Sequence, residues 1–188
     1  MCIRDRGNSI ILDPYDVYRM TTGMGKSMQE LLAASVELNV VDGVILPNLK
    51  MQGAEEACAY LDGEGRCSIH PYRPGICRLF PLGRYYENGG FSYFLQTGEC
   101  AKENRSKIKV SKWIDTPDLT RNQQFTLQWH DLLHAMEERL TGEDEGKQRE
   151  ENLLLLRLFY LLPYEGTIDF YTQFTERMEH WNGQNGQI

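Results

Sequence analysis

Four of the five cysteines in this 188-residue chain, Cys58, Cys67, Cys77 and Cys100, lie within one stretch, and none follows Cys100. From Cys58 to Pro81 the chain is rich in glycine, proline and turn formers, so these thiols have little core of their own to fill. The count is odd and the N-terminus shows no apolar h-region, which points away from a secreted disulfide scaffold. A cytoplasmic location is therefore expected, and in a reducing compartment clustered thiols serve metal binding or catalysis. Read from residues alone, two alternatives stay open. One is buried structural cysteines, which free cysteines commonly are. The other is a disulfide pair.

Within the segment, Asp62-Gly63 and Glu64-Gly65 can fold the chain back and bring Cys58 and Cys67 to one point. Pro74 is suited to the first turn of a short helix that would set Cys77 near its start, where backbone N–H groups favour thiolate. Thiolates are the donors that soft metals select. Arg73 and Arg78 flank the site as charge-balancing groups around the ligands, and His70, three residues after Cys67, is a secondary metal candidate. Net charge is −7 and acid exceeds base in both halves, so nucleic acid is not an expected partner. No window is apolar and long enough for a membrane span, so membrane is excluded as well.

The expected fold class is α+β and mostly helical: a small cysteine-rich segment with a β-hairpin, then about three C-terminal helices. Asp13-Pro14 with Asp16 reads as a capped helix start stopping near Gly23. Ser27 and Glu30 read as a capping box opening a helix that carries Met28, Leu31, Leu32, Val36 and Leu38. Val44–Met51 is an extended stretch broken by Pro47. Gly83–Glu87 and Phe91–Gln96, around Asn88-Gly89-Gly90, read as a hairpin. Helices are expected from Pro117, over Glu151–Tyr160 and over Ile168–Trp181. The implied division is a leader (1–9), a cysteine-cluster domain (10–115), a helical extension (116–181) and a disordered tail (182–188). Met1–Arg6 reads as a non-native leader, with Cys2 foreign to the site.

The sequence Ile11-Leu12-Asp13-Pro14-Tyr15-Asp16-Val17-Tyr18-Arg19-Met20, the core from Cys58 through Cys67-Ser68-Ile69-His70, Arg73-Pro74, Cys77-Arg78 and Phe80-Pro81, the aromatic hairpin, and the later Cys100, Val110, Trp113 and Ile114 resemble the YkgJ-type cysteine-cluster family. That resemblance implies a zinc- or iron-chelating or iron–sulfur protein, with Cys58, Cys67, Cys77 and Cys100 as ligands. The family carries a further CxxCC-like cluster upstream of the Asp-Arg-Met helix. Its absence here implies an N-terminally truncated ligand set. The family's surplus of cysteines over what one zinc needs, with irregular spacing, favours an iron–sulfur cluster, with zinc the alternative.

The function implied is a metal-cluster protein with an electron-transfer, metal-handling or structural role. A second reading is a cluster-assisted protein-modifying enzyme, by analogy with a flagellin lysine methylase of similar cysteine pattern. A third is an interaction protein stapled by metal; in either case the partner is an unidentified protein. No catalytic constellation is visible. His130 and His134 share a helix face as in HExxH, but Asp131 is shorter than the glutamate base, and both read as solvated.

Overall fold

The computed structural model describes residues 10–98 and 107–185. Asp13 accepts the Asp16 N–H at 2.8 Å and Asp16 accepts the Asp13 N–H at 3.2 Å. This reciprocal box, with Pro14 in the first turn, starts helix α1 (Pro14–Met24), which ends on Gly25 at φ 64°. Ser27 and Glu30 cap α2 (Met28–Ala34) in the same way.

The helix expected to run on through Val36 and Leu38 stops at Ala34. Val36–Val41 is strand β2, which turns at Asp42-Gly43 into β3 (Val44–Leu49). Both turn residues have positive φ, 51° and 81°, as a two-residue type I′ hairpin requires. The six facing pairs, from Val36↔Leu49 to Val41↔Val44, reward β-branched residues in a way that a helix turn does not. The three-stranded order is β1-β3-β2, with β1 being Ile10–Ile11.

Pro47 sits in the middle strand without breaking it. Its carbonyl accepts the Leu12 N–H at 2.9 Å. The return bond, which proline cannot donate, is replaced from elsewhere: the Tyr160 hydroxyl donates to the Leu12 carbonyl at 3.0 Å.

Two short strands follow, β4 (Met51–Gln52) and β5 (Ala57–Cys58), then α3 (Gly75–Leu79). The aromatic hairpin is β6 (Leu82–Glu87) and β7 (Gly90–Leu95), with Asn88 and Gly89 at φ 50° and 70°. Next come α4 (Val110–Ile114) and α5 (Leu119–Leu140). The following helix α6 is Glu145–Leu156 and begins earlier than expected. Asp144 caps it by accepting the Gly146 and Lys147 N–H groups, as an acidic N-cap does. A π-helical turn (Arg157–Leu161) extends it, and α7 (Phe170–Asn185) runs beyond Asn182, where the tail was expected.

The fold is α+β with a helical C-terminal set. One buried cluster joins Ile10, Leu12, Met20 and Cys77 to Phe125, Phe159, Phe174 and Trp181. The C-terminal helices therefore complete the core on which the cysteine segment rests. No described helix is long and apolar enough to cross a membrane.

Candidate metal centre

Cys58 ends β5, paired to Met51 on β4. Beyond it the Asp62 carboxylate accepts the N–H groups of Glu64 and Arg66 at 2.9 and 2.8 Å. An acid closing its own turn is a local device, and it returns the chain so that Leu61 bridges Cys67. A 3₁₀ turn over His70–Tyr72 then leads through Pro74 into α3, which carries Cys77.

Three cysteines from three local structures thereby border the same space. Cys58, Cys67 and Cys77 line one cavity of about 10 Å³, walled by Ile10, Leu49, Tyr60 and Arg73. That is room for roughly one water-sized sphere. Cys58 and Cys77 are buried and Cys67 half-buried. Tyr60 donates to or accepts from Ser35 Oγ at 2.6 Å. Burial pushes its hydroxyl above the ordinary value, against that hydrogen bond, and the charges of Cys58 and Cys67 push the same way.

The donor chemistry suits a soft metal. Among the described residues, no group of three His, Cys, Asp or Glu side chains forms an ion-holding set, so the three cysteines share a cavity without closing into a coordination shell. Cys100, Cys2 and the leader lie outside the described residues.

The remaining expected groups divide. Arg73 lines the cavity. Arg78 does not; its Nη1 donates to the Asp115 carbonyl at 3.0 Å. Burial, and then the nearby Arg19 charge, lower its pKa, while Asp16 opposes. His70 is exposed and takes no part in the cavity wall. His134 is exposed as expected, whereas His130 is half-buried and stacks on Tyr86 with ring centroids 3.7 Å apart. The hairpin thus covers one of the two histidines read as solvated.

Sequence reasoning passed over the groups that hold the site from behind. Asp16 Oδ1 accepts the Gly75 N–H at 2.7 Å, and Arg19 Nη2 donates to the Pro71 carbonyl. Their spacing was the available signal, because polar residues at i and i+3 on an otherwise core-facing helix need partners.

Residues 8–113 match the model of the CxxCxxCC family, whose description is "Putative zinc- or iron-chelating domain". The chain belongs to the CxxCxxCC family. The match ends before α5, so the helices that complete the core lie outside it. The eponymous CxxCxxCC run itself does not occur in the sequence. No curated protein and no solved structure shows significant similarity to the chain.

Proposed function

We propose that this chain binds a transition metal through the thiolates of Cys58, Cys67, Cys77 and Cys100. Family membership supports zinc or iron chelation. The observation that carries the residue assignment is the cavity shared by the first three cysteines. Chain reach supports the fourth. The Gln96 N–H bonds the Pro81 carbonyl at 2.9 Å, and Cys100 follows four residues later, at most about 14 Å of extended chain. On the far side of Cys100, Trp113 Nε1 donates to the Leu79 and Phe80 carbonyls at 3.3 and 3.2 Å. The described residues Gln96 and Trp113, on either side of Cys100, are thus bonded to residues at and just after the end of the Cys77 helix.

An iron–sulfur cluster is the reading that the family's cysteine surplus favours. A single zinc ion has one observation on its side, the small volume of the cavity. In either case Arg73, which borders the cavity, is the residue to which we assign the offsetting of thiolate charge. The role we assign is electron transfer, metal handling or structural support in the cytoplasm, acting with a protein partner. A protein-modifying enzyme rests on analogy of cysteine pattern alone. The test is anaerobic purification, metal analysis and a visible spectrum. Iron–sulfur gives a brown protein that bleaches on reduction, whereas zinc gives a colourless one, its d shell being filled. Cys77→Ser is expected to abolish or severely reduce loading with either metal. Normal loading of that variant overturns the assignment.

A further inference from the structure

One face of α1 grips the ten-residue step between Cys67 and Cys77. Asp16, Arg19 and Gly23 stand at i, i+3 and i+7, hence on a single stripe of the helix. Asp16, 2% exposed, accepts the Gly75 N–H at 2.7 Å. That N–H opens α3, whose N-cap Pro74 offers no side-chain acceptor, so a carboxylate 59 residues away in sequence caps the helix that carries Cys77. Arg19 holds the Pro71 carbonyl. At Gly23 the Tyr72 ring lies so close that an added Cβ would stand 2.2 Å from Cε1. Three contacts, two polar and one steric, fall on residues 71–75.

We propose that α1 fixes the Cys67–Cys77 spacing before any metal arrives, so that the metal closes its ligand shell on a segment already held in place and does not fold it. This rests on the reading of Cys67 and Cys77 as ligands. Small zinc modules take the opposite course, in which the ion supplies the folding free energy and the apo chain is unfolded. Here the spacer is held by a helix whose own box and core contacts need no ion. Such a site gives up and regains metal without unfolding, which suits metal handling better than a structural staple. Asp16, Arg19 and Gly23 are positioning residues.

The test measures the full chain, metal-free and under reducing conditions, by amide hydrogen exchange, and then by zinc affinity against a chelator. In the metal-free wild type the Gly75, Cys77 and Arg78 amides should be protected. Asp16→Ala should speed their exchange about tenfold, the usual worth of one such hydrogen bond. It should also weaken zinc binding roughly 10- to 100-fold, as loss of ligand-orienting contacts does. Gly23→Ala should do the same although alanine is the better helix former. Added to Tyr72→Ala, which removes the clashing ring, it should have no further effect. Arg19→Lys keeps charge and a donor and should give a smaller loss, which keeps the test decisive if Asp16→Ala does not fold. Unprotected amides in the metal-free wild type overturn the proposal. So do variants that bind zinc as tightly as a tight-binding wild type. Protected amides in a chain that binds neither zinc nor iron(II) sink the metal-binding reading, while the exchange data still decide the clamp.

Discussion

Asp16 carries two duties at a single buried carboxylate, closing the capping box of α1 and capping α3. Burial first, and the neighbouring Asp13 charge second, raise its carboxyl from an ordinary 3.8 to about 8, against the pull of the Gly75 N–H and Arg78. The folded state therefore holds this proton more tightly than the unfolded chain. The stability so gained is fully present below about pH 4 and is lost as pH rises through 8. Asp13, raised by burial, contributes with the same sign. Between pH 5 and 8.5 the wild-type melting temperature should fall more steeply than that of Asp16→Asn, measured by circular dichroism. Parallel profiles would rule out this carboxyl as the source. Two histidines one turn apart should differ. His134→Ala should leave metal loading and stability unchanged. His130→Ala, which removes the Tyr86 stack, should cost about 0.5–1.5 kcal/mol in urea denaturation.

Among the elements, β3 depends on side chains of α6 and its π-helical extension to complete its hydrogen bonding. Tyr160 serves the Leu12 carbonyl that Pro47 cannot. Asn152 Oδ1 accepts the Ile45 N–H at 2.6 Å, and its amide donates to the Gly43 carbonyl at 3.4 Å. Each completes, from more than 100 residues away, a bond that no neighbouring strand supplies. Tyr160→Phe and Asn152→Ala each leave a backbone group without its partner and should cost about 1–3 kcal/mol, read from urea midpoints at unchanged slope. The two side chains share no hydrogen-bond partner, so their losses should add. A neutral Tyr160→Phe would mean that the Leu12 carbonyl finds another donor.

At the scale of the molecule, the family-matched part and the C-terminal helices share one core. Trp181, fully buried, packs its ring 6.1 Å from that of Phe159, and Tyr15 of α1 lies 4.9 Å from Phe170. Since α1 also holds the cysteine segment, the helices at the end of the chain bear on the site through it. Trp181→Ala should destabilise by roughly 3–5 kcal/mol. A chain ending at residue 115 should lose fixed tertiary structure, with its near-ultraviolet dichroism gone. A truncated chain that keeps that signal would show that the cysteine part folds alone.

The sequence by itself determined what is local. The cap at Asp13, the box at Ser27/Glu30, the Asn88-Gly89 hairpin, the helix after Pro117 and the turns around Cys67 are each decided within a few residues. Local propensity and side-chain caps are enough there. The Asp42-Gly43 hairpin was equally local, but the apolar spacing of Met28 to Leu38 masked it, since valine and leucine serve a helix stripe and a strand face alike. The grouping of Cys58, Cys67 and Cys77 was legible as composition, and only the fold put the three on one cavity. Tertiary structure alone decided that Asp16 caps a helix 59 residues on, that Arg78 turns from the cysteines to Asp115, and that Tyr86 covers His130. Those partners are distant in sequence, and a donor or acceptor carries no mark of which distant group will meet it. That is fixed by packing apolar faces into one core, where every buried polar group takes the partner that the packing brings within reach.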